Sequence, residues 1–446
     1  MPVSPARAAA FDILLRVERE SSYASDLLHS KAYENLSTPD HALATELVMG
    51  ALRWQSLLDE RIRKASSQPI TKLDREVVMA LRLAIYQFGW LTRIPARAAL
   101  HESVELIKRA RKRSAAPFVN AVLRKLANDP RSPSMPAVVG DSAHELAESY
   151  AHPLWLVERW VKQHGFEATA KICAHNQQVP QTAIRMRDPA AEAALAGAGI
   201  SLAPGHLLSW ARLVQSGDVT TAAPYRSGGV VVQDEGSQLI AALVGSGREN
   251  ILDCCAAPGG KTLSMADQNP TAAITAVELH PHRARLMQKL LRKVPQSIRI
   301  LAADACDLPF NCRFDTIMAD VPCSGTGTLD RNPEIKWRLQ PTDLGELHDR
   351  QLAILRSALK HLAAGGRLVY STCSLEQEEN EDVIEQTLKY DSGIRLLDCG
   401  QELESLKRAG VLTWPDVASL TRGPYLRTLP GKHPCDGFFA AILLKT

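Results

Sequence analysis

From residue 249 onward the chain repeats one pattern: a short apolar run, then a segment long enough for a helix. The runs fall at 251–255, 274–278, 298–302, 314–319 and 367–371, and a last one, FFAAILL at 438–444, follows the turn signal Asp436-Gly437. Runs that stay apolar on both faces suit strands buried between layers, and helix-length spacers suit crossover connections. The alternation predicts an α/β domain on a parallel, doubly wound sheet. Such sheets bind ligands beyond the carboxyl ends of their strands, so the residue that closes each run matters most.

The first 130 residues lack this pattern. Apolar positions recur at helical spacing in 8–17 and in 73–88, where Val77, Leu81, Ala84, Ile85 and Phe88 form one stripe. Ser37-Thr38-Pro39-Asp40 reads as a helix start, with a hydroxyl cap and proline in the first turn. A helical bundle is predicted, closed by a linker over 128–136 that holds three prolines. Residues 144–240 read as a small α/β segment, with an amphipathic helix over 153–163, whose Trp155 and Trp160 are taken as core, and strand-like stretches at 179–187 and 228–233. The expected domains are therefore 1–130, 144–240 and 241–446.

With 446 residues, 45% hydrophobic and 23% charged, the chain can bury more than one core. The apolar stretch near its start is broken by Asp12 and Arg16, and no apolar run reaches bilayer length, so an unexported protein with no membrane partner is expected. Nine cysteines, an odd number with no CxxC pair, predict neither a disulfide framework nor a metal site, and a reducing cytoplasm suits them. The net charge of +3 conceals an asymmetry, because residues 1–127 hold 20 Lys or Arg against 13 Asp or Glu. Within them Lys108, Arg109, Arg111, Lys112 and Arg113 put five cations in six residues. Alone, such a run is a solvated helix face; beside nucleic-acid chemistry its members become phosphate-contacting candidates.

The first run leads into Asp253-Cys254-Cys255-Ala256-Ala257-Pro258-Gly259-Gly260-Lys261-Thr262. A small-residue loop entering a helix lets backbone N–H groups approach a ligand. A P-loop is excluded, since that pattern needs glycine where the chain has Cys255. Glu278 closes the second run, at the spacing where an acid takes ribose hydroxyls, and Asp304 follows the third. Asp320 ends the fourth, just before Pro322-Cys323-Ser324-Gly325, and the fifth ends in Ser371-Thr372-Cys373. If strand order reverses at the first run, the fourth lies beside it and the fifth beside the fourth, which brings Cys323 and Cys373 over one pocket. Packing is the bland reading of a cysteine, and for Cys254 it is the preferred one. The Pro-Cys-Ser-Gly and Ser-Thr-Cys-Ser settings weigh against it for the other two.

Taken in order, CAAPGGKT (255–262), DVPCSGTG (320–327), RNPEIKW (331–337), YSTCSLEQEEN (370–380) and DGFF (436–439) resemble the RNA 5-methylcytosine methyltransferases that use S-adenosyl-L-methionine. Within these, the chain is similar to the bacterial RsmB (Sun/Fmu) ribosomal RNA enzymes, because 7–17 and 104–126 resemble their NusB-type helical RNA-binding domain. The resemblance implies a Rossmann-like class I methyltransferase sheet with an all-α NusB-like N-terminal domain and a small α/β middle subdomain. It implies a monomeric cytoplasmic enzyme acting on carbon 5 of a cytosine in 16S ribosomal RNA, unassembled or partly assembled. Cys373 matches the thiol that attacks carbon 6, Cys323 the cysteine assigned to release of the adduct, and Asp320 the acid contacting the base and the reactive end of the cofactor. Cys255, Ala256, Ala257, Pro258, Gly259, Gly260 and Lys261 match the hold on the methionine part, Lys261 also pairing with Asp320 or the cofactor carboxylate. Glu278, where aspartate is the commoner acid, matches the ribose contact, Asp304 the adenine contact and Arg283 a further cofactor contact. Two alternatives stay open: the same chemistry on transfer RNA, and a noncatalytic NusB-like RNA-binding protein. In DNA cytosine methyltransferases it is the cysteine of Pro-Cys that attacks, so which of the two thiols strikes is a question the resemblance raises.

Overall fold

The computed structural model describes residues 3–20, 22–127, 140–292 and 298–446; the linker expected at 128–136 lies outside them. The chain divides into two compact units, one holding residues up to Val179 together with Leu329–Arg338, the other Pro180–Thr328 and Leu339–Thr446. The boundary at 179/180 falls inside the segment expected as 144–240. No helix among the described residues is long and apolar enough to cross a membrane, and no three His, Cys, Asp or Glu side chains among them are grouped to hold a metal ion.

The first unit is helical. Its helix Thr38–Arg53 starts as the sequence predicts, with the Ser37 hydroxyl accepting from Asp40 N at 3.3 Å and Pro39 in the first turn. The helix Arg75–Trp90 buries Val77, Leu81, Ala84 and Ile85 against Phe11, Ile13, Leu14, Leu47, Leu58 and Val119. Trp160, on the helix Leu154–His164, is fully buried. This unit also takes in the segment carrying RNPEIKW. There Trp337 Nε1 donates to Leu52 O at 2.6 Å, Lys336 Nζ to Arg53 O at 2.9 Å, and Glu334 Oε1 accepts from Ala24 N at 2.8 Å. Lys336 is 1% exposed, and burial holds its ammonium well below the usual lysine range.

The second unit contains two sheets. The smaller is antiparallel, in the order β2-β3-β1-β4, from β1 (Ala183–Met186), β2 (Ser201–Pro204), β3 (Ala211–Ser216) and β4 (Val230–Val232). The larger is built on β5 (Asn250–Asp253), β6 (Ala273–Glu278), β7 (Ile298–Ala302), β8 (Phe314–Asp320) and β9 (Leu362–Thr372). Short strands β10 (Ile394–Leu397), β11 (Thr421–Arg422) and β12 (Tyr425–Arg427), with β13 (Phe439–Lys445), complete it in the order β11-β12-β13-β9-β8-β5-β6-β7, β10 pairing with β13. The five strands β5 to β9 pair in parallel, and β13 runs antiparallel to β9. The chain leaves β5 toward β6 and β7, then returns to β8 and β9 on the other side, so strand order reverses between β5 and β8. That reversal is where open α/β sheets leave a crevice.

Candidate active site

The loop after β5 turns through Gly259, whose φ of +105° favours glycine, and whose Cβ, if present, would lie 2.7 Å from Met287 Cγ. The helix Gly260–Gln268 begins there, directing its first N–H groups at the carboxyl edge of the sheet. Its second residue, Lys261, donates to Asp320 Oδ2 at 2.7 Å and lies 5.1 Å from the centre of the Phe438 ring. Asp320 Oδ1 accepts from the Ser371 hydroxyl at 2.7 Å, as the register of β8 on β9 requires, since Asp320 and Ser371 are partners. Burial works against the Lys261 ammonium, but Asp320, then Cys373 and Asp253, together outweigh it, so the lysine pKa is raised.

Cys323 follows β8 and Cys373 follows β9, and their sulfur atoms are 3.3 Å apart. Both are free thiols, each half-buried. The hydrogen bond with Cys373, then burial, then the charges of Cys373, Glu379 and Asp320 hold the Cys323 thiol well above the usual range. The two loops are pinned at a glycine contact. Gly327 N donates to Cys373 O at 2.9 Å and Gly437 N to Gly327 O at 2.8 Å, and a Cβ on Gly327 would lie 2.2 Å from the Gly437 carbonyl oxygen. This contact explains why glycines recur in both SGTG and DGFF.

Across the reversal, Glu278 at the end of β6 is buried and accepts from His280 N at 2.8 Å, with Arg283 Nη1 3.8 Å from its other oxygen. Asp304, just beyond β7, is exposed and accepts from Cys306 N at 2.9 Å. Asp253, which the sequence reading passes over, ends β5 fully buried. Its Oδ2 accepts from the Thr262 hydroxyl at 2.7 Å, while Oδ1 is buried with no partner. Burial pushes its carboxyl up to about 7, the Thr262 hydroxyl opposing and Asp320 reinforcing the rise. Cys254 packs in the core with Leu252, Val277 and Ile317, as the bland reading of it expects.

The basic run lies in the helical unit, at the end of the helix Ala96–Arg109 and beyond it. Three of its cations are engaged: Lys108 with Glu105 at 2.6 Å, Arg109 with Asp12 at 3.0 Å and Lys112 with Asp74 at 3.0 Å. Arg111 and Arg113 are exposed and have no ion pair among the described residues. Chemically, then, the crevice brings two thiols, a carboxylate–ammonium pair and a buried carboxyl with one oxygen unpartnered to the carboxyl edge of one sheet.

The family model described as 16S rRNA methyltransferase RsmB/F matches residues 240–444, and that of the NusB family matches 4–128. A probable ribosomal RNA small subunit methyltransferase B of Bacillus subtilis (strain 168) is 34% identical over 459 residues, covering 100% of both chains. Ribosomal RNA small subunit methyltransferase B of Citrobacter koseri is 31% identical over 421 residues, 92% of each. Among solved structures, PH0851 superposes with a TM-score of 0.80 at 22% identity over 100% of both chains. A methyltransferase homologue from Pyrococcus horikoshii does so at 0.57 and 23%, over 69% of this chain and 100% of its own. At these identities the two structures speak for the fold.

Proposed function

Since the chain belongs to the RsmB/F family of 16S rRNA methyltransferases, we propose that it moves a methyl group from S-adenosyl-L-methionine to carbon 5 of a cytosine in 16S ribosomal RNA. The cofactor supplies an electrophilic methyl group; the protein has to make a cytosine carbon nucleophilic. Carbon 5 is a poor nucleophile until a thiolate adds to carbon 6 and leaves an electron-rich enamine. Cys373 is that thiolate. Cys373 is among the groups that raise the Lys261 pKa, so the lysine belongs to its electrostatic surroundings. Asp320, held by Lys261 and Ser371, keeps lone pairs for a protonated ring nitrogen, which favours addition. Once carbon 5 carries the methyl group, its proton must leave and the C6–S bond must break. Solvent water takes that proton, its electron pair re-forms the C5–C6 double bond, and the sulfur leaves as the Cys373 thiolate, which Cys323, 3.3 Å away, assists by donating its S–H.

The residues present fit the cofactor. The first turn of the helix Gly260–Gln268 and Lys261 suit its carboxylate, the orphaned Asp253 Oδ1 suits a donor such as its amine, and Glu278 suits a ribose diol. Within this reading Cys255 to Lys261 hold the methionine part, Glu278 and Arg283 the ribose side and Asp304 the adenine. Arg111 and Arg113 are the members of the basic run most available for phosphates. A base inside RNA structure must leave its stack to meet a thiol, so the RNA is distorted on binding.

The single observation behind this proposal is the pair of half-buried thiols 3.3 Å apart beside the Asp320–Lys261 pair, at the strand reversal. Bisulfite sequencing of total RNA, with and without the gene, tests it. One protected cytosine in 16S RNA should depend on the gene. Loss from transfer RNA alone would move the substrate, and no lost site together with no heat on mixing folded protein with S-adenosyl-L-methionine would favour the noncatalytic reading.

A further inference from the structure

Glu379 sits in an acidic stretch that reads as a solvated helix start, yet it is 0% exposed. Burying a carboxylate costs several kcal/mol unless its oxygens are satisfied. No cation pairs with it among the described residues; neutral donors hold it instead. Oε1 accepts from Ser324 N at 2.8 Å and from Gln351 Nε2 at 2.9 Å, and Oε2 accepts from the hydroxyls of Ser324 and Ser374. Ser324 and Ser374 directly follow Cys323 and Cys373, and their hydroxyl oxygens are 3.0 Å apart. Gln351 also donates to Pro322 O at 3.0 Å, so the residue before Cys323 is held from the same point. One side chain thus ties together the two loops that carry the thiols.

We propose that Glu379 is a positioning residue: it holds the two cysteine loops at contact distance, and its charge gives the two thiols different roles. The groups that bear on Cys323 are Cys373 after β9, Asp320 at the end of β8, Tyr370 within β9, and Glu379. Asp320 and Glu379 oppose a thiolate at Cys323; of the nearby cations, Lys261 couples to Cys373, and Arg427, which donates to Ser374 O at 3.2 Å, is paired with Glu381. Cys323 is therefore the thiol that keeps its proton, which leaves attack to Cys373 within the function proposed above. The role in attack rests on the function proposed above; the difference between the thiols does not.

Glu379→Gln tests this, because an amide oxygen can still accept from Ser324 N and Gln351 while the serine hydroxyls turn to accept from its NH2 group. Alkylation by iodoacetamide is followed at each cysteine by peptide mass spectrometry across pH, without RNA or cofactor. In the variant the Cys323 midpoint should fall by about one pH unit, with a smaller change at Cys373. Methyl transfer should slow by about tenfold in kcat with the KM for S-adenosyl-L-methionine unchanged. A Cys323 profile that superimposes on that of the unaltered protein would overturn the proposal. If the variant does not fold, the unaltered protein decides: Cys373 should alkylate at lower pH than Cys323, and the reverse order would overturn it. A shifted Cys323 profile in a protein that methylates no RNA would uphold the thiol assignment while the proposed function fell.

Discussion

On the β8–β9 side of the crevice the polar side chains are bonded to one another. Ser371 holds Asp320, Thr372 donates to Asn380, Asn380 Nδ2 donates to Ser374 O at 2.9 Å, and Glu379 joins the two serines. On the β5–β7 side the carboxyls are left open. Asp253 keeps one buried oxygen without a partner, Glu278 has one backbone donor and a distant arginine, and Asp304 is exposed. The difference matches two tasks. A side that makes and breaks a covalent bond needs its thiols fixed to a fraction of an ångström. A side that binds and releases a small molecule needs acceptors that the protein has not already used.

If the comparison is right, substitutions on the wired side damage stability and catalysis, whereas those on the open side damage ligand affinity. The largest effect is expected for Asp320→Ala. It strands the largely buried Lys261 ammonium, which should cost about 3–5 kcal/mol in chemical denaturation and take methyl transfer below detection. Gly327→Ala comes next. Its Cβ would meet the Gly437 and Cys373 carbonyl oxygens at 2.2 and 2.8 Å, so the loops must separate. A loss of about 1–3 kcal/mol is expected, with S-adenosyl-L-methionine affinity by calorimetry retained. Glu278→Ala should behave in the opposite way, with cofactor Kd rising about tenfold, or about 1.4 kcal/mol, and thermal stability without cofactor nearly unchanged. Equal destabilisation by Gly327→Ala and Glu278→Ala would break the contrast.

The smallest effect concerns pH. The folded Asp253 carboxyl is pushed up to about 7, above an ordinary aspartate, so the folded state binds its proton more tightly than the unfolded chain does. The stability it lends is complete below the unfolded pKa and is lost as pH rises toward and through 7. Asp253→Asn removes that contribution, and its melting temperature relative to the unaltered protein should rise between pH 4 and 8. A constant difference would mean that Asp253 is not held protonated by burial.

Much of this was legible because chemistry-bearing residues end apolar runs. Asp320, Cys323 and Cys373 stand where no packing pattern asks for them, and the order of β5, β8 and β9 then brings them together. Strands β2, β3, β10, β11 and β12 escape that reading because none holds more than two apolar residues in a row, and β2 and β11 show no buried residue at all. Glu379 is illegible for a different reason. Its neighbours in sequence are polar, and what buries it is Ser324, 55 positions away. Likewise nothing in RNPEIKW announces that Lys336 and Trp337 bond to the carbonyls of Arg53 and Leu52, over 283 and 285 positions. In the basic run the sequence marks five cations alike, and only the positions of Glu105, Asp12 and Asp74 separate the three that are paired.

The account turns on which thiol attacks, and one gel decides it. Cys323→Ala and Cys373→Ala are each incubated with 16S RNA and S-adenosyl-L-methionine, then denatured and separated. The account expects Cys323→Ala to accumulate a protein–RNA complex that survives denaturation, because addition proceeds and release does not, and Cys373→Ala to form none. A stable complex from Cys373→Ala with none from Cys323→Ala would reverse the roles of the two cysteines and contradict it.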